Sequence, residues 1–312
     1  MMNPKKSIEI CEVGPRDGLQ SEERIWSVAE RVNLIDRLTA AGIKRIEAVS
    51  FVNPKRVPQM ADGEAIMAQI KRPPGVAFIG LALNGRGVER AIASGVHEIR
   101  YVVMASETFN QRNQGTTTDA TLATLEGFAG QVTGAGIKLS CVIGTAFGCP
   151  FEGKVPLNQI VKIAKRLADI GVEEIGIGDT IGAAVPTQVT ERVSAVRDAV
   201  GKDIPLGGHF HNTRNTGFAN AVAALSEGIA FLDSSIGGLG GCPFAPAATG
   251  NIATEDLCLM LRNMGYETGI DLNALIDVAR WVEPFFGRPL PGQVMKAGLF
   301  PEVAEKQEGP EA

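Results

Sequence analysis

The sequence predicts a closed (β/α)8 barrel, the TIM-barrel fold, with a short helical extension at its C-terminal end. A length of 312 residues allows one α/β barrel of about 250 residues plus such an extension. The main observation is a recurring joint, where a helical stretch ends at glycine and a β-branched, apolar run follows at once. Glycine suits this position because a helix commonly ends in a residue of positive φ. Five clear joints and two weaker ones carry Gly42, Gly95, Gly136, Gly171, Gly228, and Gly75 and Gly201.

Seven joints separate eight strand-plus-helix units, with strands expected near residues 10, 48, 79, 101, 140, 176, 208 and 233. Alternating strands and helices require parallel strands joined by right-handed crossovers, and eight such strands close a barrel whose active site lies at their C-terminal ends. Polar residues follow the strands as this model requires, for example Asp17 after the first strand and Asp179 after the sixth. A doubly wound open sheet is the competing architecture.

The whole chain, 1–312, is interpreted as a single domain, with the barrel at about 7–265. The stretch "DLNALIDVARWVEPFFG" predicts an amphipathic helix whose aromatic end packs on the barrel, within an extension at about 270–300. The tail at 303–312 is expected to be frayed.

Composition limits the function classes. Hydrophobic residues make up 45% and charged residues 21% of the chain, which is typical of a globular protein with a large core. The net charge of −5 without a basic run argues against nucleic-acid or membrane partners. No apolar segment reaches the roughly 20 residues that span a bilayer and no signal segment is evident, so we expect a cytoplasmic protein. Five scattered cysteines without a CxxC motif predict reduced thiols.

The segment "GGHFHNTRNTG" carries His209 and His211 with one residue between them. Residues i and i+2 of a strand point to the same side, so both imidazoles should face the barrel interior near its mouth. The alternative is a pair of core histidines. Asp17 and Asn251 would add two oxygen ligands at the same mouth, and mixed nitrogen and oxygen ligation without thiolate favours Mg²⁺ or Mn²⁺.

Two further segments should lie on the catalytic face. In "EVGPRDGLQSEE" the glycines and Asp17 are compatible with a simple turn, whereas Arg16 could stabilise an oxyanion. The segment "GGLGGCPFAPAATGN" follows the last strand, where loops often act as lids, and contains the thiol of Cys242. A similar setting, "GCPFEG", surrounds Cys149, and local chemistry does not choose between the two thiols.

These blocks together resemble the hydroxymethylglutaryl-coenzyme A lyases of the DRE-TIM metallolyase superfamily. The similarity runs from "EVGPRDGLQ" through "IEAVSFVNPKRVPQM", "ASETFNQRN", "GCPFEGKV", "IGIGDTIG" and "HFHNT" to "GLGGCPFAPAATGNIATEDL", about residues 9–265. The resemblance implies the same barrel and a divalent-metal site. Its ligands would be Asp17, His209, His211 and Asn251.

The resemblance also implies catalytic roles. Arg16 matches the arginine that steadies the thioester enolate, and Cys242, rather than Cys149, matches the mobile catalytic cysteine. Glu47 and Asp179 match acidic residues needed around the metal, and either Asp179 or His209 would remove the hydroxyl proton. The family cleaves 3-hydroxy-3-methylglutaryl-coenzyme A (HMG-CoA) into acetyl-CoA and acetoacetate.

The substrate implied is an acyl-CoA thioester, and its phosphates require a local cationic patch on this acidic protein. We expect that patch in loops after the second and fourth strands, at Lys55, Arg56, Arg112 and Asn113. A homo-oligomer is expected, a dimer being one form of it.

One segment departs from the family pattern. Lyases of the family commonly read H-x-H-D-T-Y-G. This chain has Asn212 in place of the aspartate, Arg214 in place of the tyrosine and Asn215 in place of the glycine. We expect Arg214 either to bind the substrate carboxylate or to pair with Asp179, so that the preferred acyl group could differ. The competing functions are a Claisen-type condensing enzyme, such as an isopropylmalate or homocitrate synthase relative, and a noncatalytic acyl-CoA-binding barrel.

Overall fold

The computed structural model describes residues 6–241 and 249–300. Within these ranges, eight parallel strands form a closed barrel, and β2 pairs with β9 to close it. The barrel strands are β2 (Glu9–Glu12), β3 (Arg45–Ser50), β4 (Ala77–Leu81), β5 (Glu98–Met104), β6 (Lys138–Gly144), β7 (Glu174–Asp179), β8 (Leu206–Phe210) and β9 (Phe231–Ser234). Two short strands, β1 (Lys6–Ser7) and β10 (Tyr266–Glu267), pair with each other outside the barrel.

Helices follow the barrel strands in turn. They are α1 (Val28–Ala40), α2 (Gly63–Gln69), α3 (Gly85–Ala93), α4 (Glu107–Gln114), α5 (Thr118–Gly134), α6 (Leu157–Ile170), α7 (Pro186–Val200), α8 (Gly217–Ser226) and α9 (Thr254–Asn263), followed by α10 (Leu272–Val282) and α11 (Val294–Ala297). Short helical turns lie at Gly14–Gly18, Pro58–Met60, Ile236–Gly238 and Glu283–Phe286. The predicted barrel is confirmed, and each expected strand centre falls inside a strand.

The glycine joints have the backbone geometry that the sequence predicts. All seven glycines adopt positive φ, between 66° at Gly95 and 99° at Gly42. At Gly42 a side chain would also meet the carbonyl oxygen of Gly269 at 2.9 Å. Six of the seven glycines follow the end of a helix and lead the chain into the next strand at little backbone cost. Gly75 lies in the loop between α2 and β4.

The predicted C-terminal helix is α10, and its aromatic end does pack on the barrel. The Phe285 ring centroid lies 4.8 Å from that of Trp26, and the Arg24 guanidinium lies 4.8 Å from the Phe285 centroid. The expected frayed tail at 303–312 falls outside the described residues. Among the helices that are described, none is long and apolar enough to cross a membrane.

Candidate metal centre and active site

The histidine pair lies at the C-terminal end of β8 and shares a cavity with Asp17. One ligand atom from each of Asp17, His209 and His211 lies within 4.8 Å of the others. The two Nε2 atoms of His209 and His211 are 3.2 Å apart. All three residues line a cavity of about 460 Å³ at the mouth of the barrel. The structure thus brings the three residues together, as the strand spacing predicts.

The glycines before the pair explain how the strand fits there. A side chain on Gly207 would meet the Phe231 ring at 2.2 Å, and one on Gly208 would meet the Phe210 ring at 2.4 Å. Phe231 belongs to a small apolar cluster with Cys11, Val13 and Ile79. The "GGHFH" segment therefore leaves room for two aromatic rings beside the strand that carries the imidazoles.

Asn251 lies beside His211 because the backbones of the two residues form an antiparallel bridge. Its Nδ2 donates to Oδ2 of Asp17 at 2.8 Å and to the carbonyl of Leu239 at 3.1 Å. Among the described residues, its buried Oδ1 has no hydrogen-bond partner, and neither has Nδ1 of His211. An amide oxygen, a carboxylate and two imidazoles, with one buried acceptor unpaired, form a donor set that fits a divalent cation.

Burial and charge set the protonation of this group. Burial lowers the pKa of His211 to about 4, and the neighbouring His209 adds to the effect. Burial also lowers the pKa of His209, but its hydrogen bond to Asp233 and that carboxylate's charge outweigh burial and raise it. Burial raises the pKa of Asp17, yet Arg16 and the histidines bring it below its ordinary value. His211 is therefore neutral at pH 7, the form that ligates metals.

Arg16 and Asp17 are held by a wide helical turn at Gly14–Gly18. The amides of Asp17 and Gly18 donate to the Val13 carbonyl at 2.8 and 3.2 Å. The segment is therefore this wide helical turn and not the simple turn that was one interpretation of the sequence. The Arg16 guanidinium forms a bidentate pair with Glu47, with both distances 2.8 Å, and its Nη1 donates to Asp17 at 3.0 Å. Burial acts to lower the pKa of Arg16, but the charges of Glu47 and Asp17 outweigh burial and raise the pKa above its ordinary value. Arg16 therefore stays a cation.

Asp179 lies at the end of β7, but its carboxylate is used by the backbone. It accepts from the amides of Ala183 at 2.8 Å and Ala184 at 3.0 Å, and it is not among the residues that line the cavity. Burial raises its pKa, against the lowering effect of these hydrogen bonds and of His209. Its neighbour Thr180 lines the cavity instead.

The departure from the family pattern has a structural explanation. Arg214 donates to the carbonyls of Ile181 and Gly182, both at 2.9 Å, and does not line the cavity. Its charge acts to lower the pKa of Asp179, against the effect of burial. The side chain of Asn212 accepts from the Gly217 amide at 3.1 Å, at the start of α8. Asn215 has φ of 57°, a left-handed conformation that glycine and asparagine tolerate best.

The expected cationic patch is only partly at the cavity. Arg56, Arg112 and Asn113 line it, whereas Lys55 does not. Arg112 and Asn113 belong to α4 rather than to a loop, because Ser106 caps this helix by accepting from the Phe109 amide. The Arg112 guanidinium lies 4.0 Å from the centroid of Phe151.

The structure describes only one of the two competing thiols. Cys149 is buried, with its sulfur 2.9 Å from the Ser106 hydroxyl and 3.3 Å from the Phe151 amide. Cys242 lies outside the described residues, and Gly241, which precedes it, lines the cavity. His97, expected to be structural, accepts from the Phe78 amide at 3.1 Å.

Two charged residues that line the cavity were missed by sequence reasoning, Arg100 on β5 and Asp233 on β9. Asp233 Oδ2 lies 3.2 Å from Nδ1 of His209 and 3.0 Å from Nη1 of Arg100. A charged residue at an inward-facing position of a strand was the available signal, since buried charges need partners.

Comparison with known proteins identifies the family. A family model described as HMGL-like matches residues 7–282. The chain belongs to the HMGL-like family. The resemblance to hydroxymethylglutaryl-CoA lyases is thereby confirmed, over most of the chain.

Three relatives of this HMGL-like protein are informative. It is 45% identical to (R)-citramalyl-CoA lyase of Chloroflexus aurantiacus, with 96% of this chain and 97% of that protein covered. It is 40% identical to hydroxymethylglutaryl-CoA lyase YngG of Bacillus subtilis, with 94% and 97% covered. An HMG-CoA lyase of Acinetobacter baumannii, solved in complex with coenzyme A and 3-methylmalate, superimposes with a TM-score of 0.91 at 38% identity, with 97% of this chain and 100% of that chain covered.

Proposed function

We propose that this protein is a divalent-metal-dependent carbon–carbon lyase that cleaves HMG-CoA, or a close 3-hydroxyacyl-CoA analogue, into acetyl-CoA and a 2- or 3-oxo acid. One observation carries the proposal. The carboxylate and two imidazoles of Asp17, His209 and His211 meet in one cavity, and Arg16 lies 3.0 Å from that carboxylate. A metal site beside the Arg16 guanidinium suits a reaction that begins with loss of a hydroxyl proton and forms an enolate.

Asp17, His209, His211 and Asn251 would hold the cation, Mg²⁺ or Mn²⁺. When bound, such a cation lowers the pKa of a substrate hydroxyl that it chelates together with a carboxylate. These ligand residues would hold the carbinol carbon beside Arg16. Arg16 donates to Glu47 and Asp17 and keeps its charge in the buried site.

The chain's own groups handle the proton and the leaving carbanion. Two candidate bases stay open, Asp179 and His209. His209 lines the cavity and Asp179 does not, but Asp233 occupies Nδ1 of His209, so this imidazole can take the proton only while its Nε2 is not bound to the cation. Loss of the hydroxyl proton lets the carbinol carbon form a carbonyl while the bond to the thioester α-carbon breaks. The electron pair moves into the thioester enolate, which the Arg16 cation stabilises. Cys242 is proposed to protonate that α-carbon, completing acetyl-CoA.

Coenzyme A is proposed to extend from this centre toward Arg56, Arg112 and Asn113, which line the same cavity. Lys55, in the turn beside Arg56, would add positive charge at the periphery. The two arginines supply the cationic patch that an acidic protein needs to bind phosphates.

Cleavage of citramalyl-CoA into acetyl-CoA and pyruvate is a second candidate, favoured by the 45% identity to a lyase of that name. The two substrates differ by one methylene between the carbinol carbon and the carboxylate. Both present a hydroxyl and a carboxylate for chelation, so the same residues serve either reaction.

Product analysis by mass spectrometry tests the proposal. The purified protein is incubated with HMG-CoA or with citramalyl-CoA, with Mg²⁺ or with EDTA. We expect acetyl-CoA with Mg²⁺ and its loss with EDTA, and acetoacetate or pyruvate identifies the substrate. If neither thioester released acetyl-CoA, the proposed lyase function would be rejected. A condensing enzyme would instead consume acetyl-CoA in the presence of a 2-oxo acid.

A further inference from the structure

A row of five side chains with alternating charge lies at the cavity, and all but Glu47 line it. The row is Arg16, Glu47, Arg100, Asp233 and His209, called here the buried charge chain. Glu47 is fully buried, and Arg100 and Asp233 are each 1% exposed. The buried charge chain connects Arg16, beside the proposed enolate, to His209 of the proposed metal site.

Arg100 is the central link. Its Nη1 donates to Oδ2 of Asp233 at 3.0 Å and lies 3.6 Å from Oε2 of Glu47. Each of these carboxylates has a second partner: Glu47 holds Arg16 through two hydrogen bonds, and Asp233 contacts His209. One buried guanidinium therefore donates to Asp233 and forms an ion pair with Glu47, the two carboxylates that contact His209 and Arg16.

Electrostatics supports this arrangement. Glu47 and Asp233 would otherwise be two negative charges buried near each other, with Arg16 as the only full cation in the row. Such charges are costly to bury unless they are paired and hydrogen-bonded. Without Arg100, the two carboxylates would repel each other with no cation between them, and Asp233 would be held less firmly against Nδ1 of His209.

We propose that Arg100 is a positioning residue that sets Arg16 through Glu47 and His209 through Asp233, and so couples the enolate-stabilising cation to the metal site. This inference rests on the proposed function for its effect on turnover. Its effect on metal binding does not depend on the substrate.

The test replaces the cation while keeping the volume of the side chain. Arg100→Met, Arg100→Lys and the wild type are compared by isothermal titration with Mn²⁺ and by steady-state kinetics on the thioester that the wild type cleaves. Arg31→Met is the control, because Arg31 is equally buried but donates to the Ala61 carbonyl at 3.0 Å, between α1 and the segment after β3.

We expect Arg100→Met to weaken Mn²⁺ binding at least 10-fold and to lower kcat at least 100-fold, with KM changed less than 3-fold. Arg100→Lys should recover most of both losses, because one ammonium can contact both carboxylates. Arg31→Met should bind Mn²⁺ as the wild type does, even if it is less stable. Wild-type Mn²⁺ affinity in Arg100→Met, or no recovery in Arg100→Lys, would overturn the inference.

A charge-balanced pair keeps the test decisive if Arg100→Met does not fold. The double variant Glu47→Gln, Arg100→Met removes one carboxylate together with the cation and is compared with Glu47→Gln alone. The double variant should bind Mn²⁺ at least 5-fold more weakly, because only it deprives Asp233 of its partner. Equal affinities would refute the role of Arg100. A wild type that binds Mn²⁺ but cleaves no thioester would instead refute the proposed function, leaving the metal-binding result to judge Arg100.

Discussion

Asp233 contacts the side of the His209 ring opposite to His211: its Oδ2 lies 3.2 Å from Nδ1, while Nε2 of the same ring lies 3.2 Å from Nε2 of His211. A carboxylate at Nδ1 fixes the tautomer and leaves the lone pair of Nε2 for a cation or a proton. This contact joins β9 to β8. It also adds Asp233 to the site, although no sequence motif marks that residue.

Asp233→Asn should weaken Mn²⁺ binding by about 10- to 100-fold, the usual effect of removing the carboxylate behind a ligating histidine. Titration calorimetry on the purified variant measures the loss. Asp277→Asn serves as the control, since the Asp277 side chain is 77% exposed on α10. Equal Mn²⁺ affinity in the wild type and Asp233→Asn would show that Asp233 does not support the metal site.

The two thiols should respond differently to the same substitution. Cys242→Ser should lower kcat by about 100-fold or more, the range of general acid catalysis, without changing metal content. Cys149→Ser should stay within a few-fold of wild type, because that sulfur is buried between Ser106 and Phe151. Steady-state kinetics with metal analysis measures both. The opposite pattern would assign the proton donor to Cys149.

Arg56→Glu and Arg112→Glu should each raise KM for the thioester about 10-fold and change kcat much less. Contacts to remote phosphates stabilise the ground state and the transition state alike, so they affect KM rather than kcat. Lys202→Glu, an exposed position between α7 and β8, controls for the change in net charge. If neither arginine variant differs from this control in KM, coenzyme A does not bind along this wall.

Glu255 should make stability depend on pH. Burial raises the pKa of Glu255 to about 8, well above its ordinary value of 4.5, and one of its oxygens accepts from the Gly237 amide. Between pH 4.5 and pH 8 the folded protein holds a proton on Glu255 that the unfolded chain releases. The contribution of protonated Glu255 to stability is therefore fully present below pH 4.5 and is lost as pH rises through 8. The slope is at most about 1.4 kcal/mol per pH unit.

Denaturant unfolding in EDTA from pH 5 to pH 8 measures this effect. The wild type should lose stability across the range relative to Glu255→Gln, which cannot ionise. Parallel curves for the two proteins would mean that Glu255 is ionised in the folded state throughout.

Local sequence signals sufficed for much of the architecture. A glycine that ends a helix is a local signal, and Gly42 and its six counterparts adopt the expected positive φ. The spacing of His209 and His211 likewise places both on one side of β8. Arg100 and Asp233 are different, because 133 positions separate them and only closure of the barrel brings their charges together.

The segment that departs from the family pattern shows a second limit. From sequence, Arg214 reads as an added charge near the metal, whereas its guanidinium is used by two backbone carbonyls. Whether a cation serves a ligand or a loop depends on side-chain direction, which spacing alone does not give. Similarly, the sequence places Arg112 after β5 but does not reveal that α4 carries it.

The central claim is that Asp17 and the histidine pair hold a metal ion on which cleavage depends. The most direct test measures bound metal and turnover together in Asp17→Asn and His211→Ala, with Asp277→Asn as the control. Metal content by inductively coupled plasma mass spectrometry and acetyl-CoA release are followed on the same samples. Both variants should lose metal and activity in parallel while the control keeps both. Full metal occupancy in the two variants, or undiminished cleavage without metal, would contradict the account.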